Sequence, residues 1–76
     1  MRTIAPEENK VSFGEFVRSK RTTLNLSQGE LAAMAHTTQG YISKLEKGLR
    51  EPTLEVALNI CDALRTDINE YVRISK

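Results

Sequence analysis

The sequence has few of the residues that stabilise small proteins through cross-links or bound metals. Its 76 residues include one cysteine, one histidine and no tryptophan. A single cysteine excludes an internal disulfide, and one Cys with one His cannot supply the ligands of a structural zinc site. The chain is therefore expected to be one small domain whose stability depends on an apolar core, or on a core that a second copy completes.

Long apolar runs are also missing. The longest, Leu31 to Ala35, is far shorter than the roughly 20 residues that a membrane helix needs. Residues 1–10 contain Glu7 and Glu8 and no apolar stretch, so we expect a flexible N-terminal arm rather than a secretory signal, with the domain in residues 11–76. The expected location is the cytoplasm, where a lone thiol stays reduced.

Charge is distributed unevenly along the chain, although the net charge is only +1. Residues 17–50 include six basic and two acidic side chains, whereas residues 51–76 include three basic and five acidic ones. Such an asymmetry is compatible with an anionic partner, but solvated helix faces often show it too. Whether the basic residues form an anion-binding surface or an ordinary solvated face depends on how the helices are arranged.

Apolar residues make up 39% of the chain and recur at helical spacing, which predicts an all-α fold. Two Ser-x-x-Glu capping boxes, Ser12 with Glu15 and Ser27 with Glu30, predict the starts of the first two helices. The apolar face of the first helix is expected to contain Phe13, Phe16, Val17, Lys20 and Leu24.

The third predicted helix has a divided surface. It begins after Thr38 and ends near Gly48, since glycine readily adopts the left-handed conformation that closes helices. Ile42 and Leu45 are expected to point inward, and the outward face is polar. Preceded by the short turn 35–37, this is the description of a helix-turn-helix whose second helix enters the major groove of DNA.

Two more helices complete the prediction. Thr53 follows an extended Glu-Pro step and caps the fourth helix, and a capping box of Asp67 and Glu70 begins the fifth. The fourth helix should turn an apolar stripe to the core, formed by Leu54, Ala57, Leu58, Cys61 and Leu64. Cys61 is therefore interpreted as a core residue, without a catalytic or redox role.

The motifs also resemble a known family. Residues 26–32 (LSQGELA), 38–48 (TQGYISKLEKG) and 50–54 (REPTL) are similar to the phage repressor and Cro-type (Xre-like) helix-turn-helix proteins. The resemblance covers about residues 11–71. It implies a five-helix, lambda-repressor-like domain that regulates transcription without a cofactor. His36 stands where the family usually has glycine in the turn, and histidine can occupy the left-handed region.

The resemblance assigns roles in DNA binding. Gln28 matches a phosphate-binding position at the start of the second helix, and Gln39 matches a position that reads a base edge, where its amide can pair with adenine. Lys44 is expected on guanine or phosphate, and Lys47 and Arg50 on phosphates. The full predicted set is Gln28, Thr38, Gln39, Gly40, Tyr41, Ser43, Lys44, Lys47 and Arg50.

Three further positions carry predictions. Arg21 and Glu46 match an ion pair that links the first helix to the end of the third. Tyr41 has two interpretations: its ring either packs on the edge of the core or lies against sugar and phosphate.

A reading helix this short covers few base pairs, so we expect a homodimer, most simply a repressor, on an inverted repeat. The apolar residues near the C-terminus exceed what one small core needs, and they predict a dimer interface of Ile68, Tyr71, Val72 and Ile74.

The predicted fold is compatible with other functions. The same fold serves antitoxins and proteins bound by antagonists, controllers of restriction-modification operons, and scaffolds that do not bind DNA. Arg2 or Lys10 of the arm is a further candidate DNA contact. The sequence shows no enzyme signature, because it pairs no nucleophile with a base and has no phosphate loop.

Overall fold

The computed structural model describes residues 11–74, and the predicted arm of residues 1–10 lies outside them. Within these residues the chain forms five α-helices and no strand, which confirms the predicted fold class. The helices are α1 (Phe13–Thr23), α2 (Gln28–Met34), α3 (Gln39–Glu46), α4 (Leu54–Ala63) and α5 (Ile68–Ile74). None of them is long and apolar enough to cross a membrane.

The first two helices begin where the capping boxes predict. The Glu15 amide donates to Ser12 Oγ at 3.1 Å, and the Ser12 amide donates to the Glu15 carboxylate at 3.1 Å. Ser27 and Glu30 repeat the arrangement at 2.9 and 2.8 Å. Both boxes satisfy backbone N–H groups that would otherwise lack partners in the first helical turn.

Threonine caps α3 and α4, as predicted. Thr38 Oγ1 accepts from the Tyr41 amide at 3.1 Å, and Thr53 Oγ1 accepts from the Val56 amide at 3.2 Å. The turn between α2 and α3 places His36 at φ 61°, so this histidine does adopt the left-handed conformation that the turn requires. Gly48 closes α3 at φ 77°.

The core lies between α1, α2, α3 and α4. Its most buried side chains come from all four helices and are Val17, Leu31, Ile42, Leu45 and Ile60. α1 crosses the C-terminal end of α3 so closely that a Cβ on Gly14 would collide with the carbonyl oxygen of Leu45. This contact fixes where α3 ends relative to α1.

Two of the predicted apolar faces contain residues that are exposed in the structure. α4 buries Ala57, Cys61 and Leu64 as expected, but Leu54 and Leu58 are 70% and 45% exposed, and Ile60 and Ala63 take the inward positions. Leu24 is exposed too, since it caps the C-terminus of α1 instead of extending the apolar face. Burial raises the pKa of the Cys61 thiol, and the nearby carboxylates of Asp67 and Glu70 add to the effect.

α5 is attached through an aromatic cluster. Tyr71 meets Phe13 edge-on with 5.2 Å between ring centroids, and its ring lies 5.5 Å from that of Phe16. Asp67 Oδ1 does accept a backbone N–H of the first turn, from Asn69 at 2.8 Å, but the predicted Asp67–Glu70 capping box is wrong because the Glu70 amide bonds the Asp67 carbonyl. Glu70 instead binds Thr66 Oγ1 at 2.8 Å and Lys20 Nζ at 2.6 Å, because these partners lie within reach across the α1–α5 contact.

Candidate nucleic-acid interface

The outer face of α3 is open to solvent. Ile42 and Leu45 are fully buried beneath it, which turns the polar side of the helix outward. Gln39, Gly40, Lys44 and Lys47 are exposed, and Ser43 is half-buried at the edge. A polar helix face held outward on an apolar base is what entry into the major groove requires.

A part-buried ion pair fixes this helix to α1. Arg21 Nε donates to Glu46 Oε2 at 2.7 Å and Arg21 Nη2 donates to Glu46 Oε1 at 3.0 Å, so the predicted pair is present and bidentate. The remaining guanidinium nitrogen, Nη1, donates to the Leu26 carbonyl at 2.9 Å. Arg21 thereby holds both the end of α3 and the segment between α1 and α2 against α1.

The environment of Glu46 keeps its carboxylate charged. Burial by itself would raise the pKa of Glu46, but hydrogen bonds from Arg21 and Gln28 and the positive charges of Arg21 and Arg18 outweigh it. The pKa of Glu46 is therefore below the ordinary glutamate value. The same hydrogen bond raises the pKa of Arg21.

Gln28 contributes to the same network. Its side-chain amide donates to Glu46 Oε1 at 3.1 Å, which holds the start of α2 against the end of α3. The phosphate contact predicted for Gln28 is untested by this geometry, because the amide has a second N–H and an oxygen to offer.

A groove on the α1 side of α3, here called the α1-side groove, surrounds this network with a volume of about 210 Å³. Its lining residues are Arg18, Arg21, Gln28, Ser43, Glu46 and Lys47. Glu46 is neutralised by Arg21, which leaves the charges of Arg18 and Lys47 for an anion. Sequence reasoning missed Arg18, although its position three residues before Arg21 places both arginines on one face of α1.

The opposite flank of α3 carries a second groove of about 290 Å³, here called the loop-side groove. It is lined by Thr38, Gly40, Tyr41, Lys44 and Arg50. The Arg50 guanidinium lies over the Tyr41 ring, 5.1 Å from its centroid. The ring itself is half-buried and packs against the core, which supports the first of its two predicted interpretations.

The residues predicted for a dimer interface lie apart from both grooves. Val72 and Ile74 are exposed on α5, and Ile68 is half-buried. Tyr71 already packs on Phe13 and Phe16 of its own chain. A separate set of exposed apolar side chains, which sequence reasoning did not identify as a surface, consists of Leu49, Leu54 and Leu58.

Comparisons with known proteins agree with this geometry. Two uncharacterized HTH-type transcriptional regulators, from two strains of Mycobacterium tuberculosis, are 39% identical over 61 residues, which is 79% of this chain. This chain spans 44% of their length.

Solved structures match over most of the domain. The restriction-modification controller protein C.AhdI from Aeromonas hydrophila has a TM-score of 0.75 and 32% identity over 78% of this chain and 86% of its own. The P22 c2 repressor, solved with a synthetic operator, has a TM-score of 0.76 and 27% identity over 82% and 94%. The clp gene regulator ClgR from Corynebacterium glutamicum has a TM-score of 0.79 and 25% identity over 99% and 76%.

The predicted resemblance is confirmed at the level of the family. A family model described as helix-turn-helix matches residues 17–71, which include α2, α3 and the turn between them. The chain belongs to the Xre-like helix-turn-helix family of DNA-binding transcriptional regulators.

Proposed function

We propose that this chain is a sequence-specific DNA-binding repressor that acts as a homodimer on an inverted-repeat operator. The observation that supports the proposal is the exposed polar face of α3 with a cationic groove on each flank. A helix in the major groove has a phosphate backbone on either side, so cations on both flanks match both strands.

The reading of bases is assigned to the exposed residues of α3. Gln39, the first residue of the helix, can offer a donor and an acceptor to adenine. Lys44 lies five residues further along α3 and can reach guanine acceptors or a phosphate. Affinity should come mainly from phosphates and should fall steeply as salt is added.

A homodimer would contact more base pairs than a single copy. A short α3 contacts few base pairs, and two copies with half-sites roughly 34 Å apart would read enough sequence for one operator. The exposed part of α5, with Val72 and Ile74, is the proposed contact between the copies.

A second candidate function follows from one comparison. C.AhdI, which is 32% identical, is named a restriction-modification controller, so this chain is a candidate controller of such an operon. A methyltransferase or endonuclease reading frame beside the gene would favour this role over that of a general repressor. A toxin reading frame there would favour the antitoxin alternative.

The test is selection of duplexes from a randomised DNA pool, followed by titration of the selected duplex at several salt concentrations. We expect a two-fold symmetric consensus and a steep loss of affinity with salt. Gln39→Ala should weaken binding by about 1–3 kcal/mol and relax the preference at one base step. Recovery of random sequences only, with no salt-dependent binding, would exclude the proposed function.

A further inference from the structure

We propose that Tyr41 is a positioning residue that holds the Arg50 guanidinium at the loop-side groove, ready to bind a DNA backbone phosphate. The inference rests on the proposed DNA binding and assigns a role to a residue within that site. The observation behind it is the position of the Arg50 guanidinium over the Tyr41 ring, 5.1 Å from its centroid.

The two partners differ in how firmly the fold holds them. Tyr41 belongs to α3, and its half-buried ring packs against the core, so its orientation is fixed. Arg50 lies in the segment between α3 and α4 and its side chain is exposed. An exposed arginine has many rotamers, and a rigid aromatic surface removes much of that freedom before any ligand arrives.

The contact with the ring leaves N–H donors of the guanidinium available. The Tyr41 ring lies on one side of the group, whereas its N–H donors spread around the whole edge of the guanidinium, and those directed away from the ring can bind phosphate oxygens. The cation–π contact and a bidentate phosphate contact are therefore compatible in one arginine. Lysine could not do both in this way, since its ammonium is a compact point charge.

The rest of the loop-side groove suits an anion. Lys44 supplies a second positive charge, and the lining residues include no carboxylate. A Cβ on Gly40 would meet nothing within 4 Å, so this side of the groove is open for a phosphate to approach. Two cations at one opening, on the flank of the proposed reading helix, favour a backbone phosphate over a base edge.

The experiment is a double-mutant cycle on the duplex that the wild-type chain selects from a randomised pool. Tyr41→Leu should weaken binding about two- to five-fold, which corresponds to an exposed cation–π contact. Arg50→Ala should weaken binding and lower the salt slope by about 0.9, the effect of one phosphate. In the Arg50→Ala background, Tyr41→Leu should cause no further loss.

Two variants serve as controls. Tyr41→Phe keeps the ring and should lose less than Tyr41→Leu, whereas an equal loss would mean that the hydroxyl itself contacts DNA and would overturn the proposal. In the Lys47→Ala background, on the other flank of α3, Tyr41→Leu should keep its full effect. If the losses of DNA binding caused by Tyr41→Leu and Arg50→Ala simply add, while wild-type binding still weakens steeply with salt, the positioning role is overturned and the proposed DNA binding is not. Absence of salt-dependent binding in the wild type would instead contradict the proposed function.

A measurement on the free protein separates positioning from folding. The side-chain protons of Arg50 should be shifted upfield in NMR spectra by the Tyr41 ring current, and this shift should vanish in Tyr41→Leu. If Tyr41→Leu lowers the thermal stability but Arg50 shows no ring-current shift in the wild type, Tyr41 is only a core residue and the proposal fails.

Discussion

Arg21 and Glu46 join the last turn of α1 to the last residue of α3 through two parallel hydrogen bonds of 2.7 and 3.0 Å. Gln28, the first residue of α2, donates to the same carboxylate. Three helices therefore converge on one side chain, which lies directly beside the proposed DNA-reading face. The orientation of that face depends on this carboxylate as much as on the apolar core below it.

Glu46→Gln should lower the free energy of unfolding by about 1–3 kcal/mol, because the part-buried guanidinium of Arg21 would lose its charged partner. Denaturation in urea measures the change. Glu70→Gln is the control, since the Lys20–Glu70 pair is far more exposed and its loss should be clearly smaller. Equal losses in the two variants would show that the Arg21–Glu46 pair has no special structural role.

Stability should also depend on the protonation of Glu46. Its pKa in the folded chain is lowered, so its contribution is complete above the ordinary glutamate pKa and is lost as the pH falls through the lowered folded value. The free energy of unfolding, measured from neutral pH downward, should therefore decrease in the acid range. The decrease should be smaller in Glu46→Gln, and an unchanged pH profile in that variant would assign the acid sensitivity to other carboxylates.

The helix starts were predictable because their signals are local. Ser12 and Ser27 lie three residues before a glutamate, and a capping box needs nothing from the rest of the chain. The Asp67–Glu70 box, which does not form, failed for the opposite reason. Glu70 finds Lys20 on another helix, and that competition is invisible to spacing alone.

Gly14 is a tertiary feature of the same kind. We expect Gly14→Ala to lower the free energy of unfolding by about 1–3 kcal/mol, because the new Cβ would be forced against the Leu45 carbonyl at the α1–α3 crossing. Gly40→Ala is the matched control. It is also a helical glycine, its Cβ would meet nothing, and the change should stabilise the protein by up to about 1 kcal/mol. Thermal or urea unfolding of both variants tests the difference in sign.

The residues of the candidate site also differ in whether local spacing or tertiary packing determines their positions. The outward residues of α3, such as Gln39 and Lys44, follow from the helical period once Ile42 and Leu45 are placed in the core. The position of Arg18 and the Tyr41–Arg50 contact depend on how α1 and the segment after α3 approach the reading helix. Helical spacing places Arg18 on the same face of α1 as Arg21, but the side of α1 that meets α3 and the position of Arg50 relative to Tyr41 are set by tertiary packing.

Arg18→Ala tests the α1-side groove. Removing a cation that contacts a phosphate should weaken binding by a similar factor on different duplexes and lower the salt slope by about 0.9. Arg73→Ala is the control, because Arg73 lies on α5 and lines neither groove. An unchanged slope in Arg18→Ala would place the DNA backbone away from α1.

Ile74→Asp tests the proposed dimer contact on α5. An exposed apolar side chain replaced by a charge should separate the two copies without unfolding either, and sedimentation equilibrium should show a monomer. Tyr71→Asp would be ambiguous, since Tyr71 packs on Phe13 and Phe16 within its own chain and its loss would also detach α5.

The control for that experiment is Leu24→Asp, because Leu24 and Ile74 are both 44% exposed but Leu24 caps α1 and lies outside α5. It should leave the dimer intact. If Ile74→Asp remains dimeric and Leu58→Asp becomes monomeric, the copies meet instead through the exposed leucines of α4. In that case a face that helical spacing assigned to the core would be the subunit contact, and the contact on α5 would be wrong.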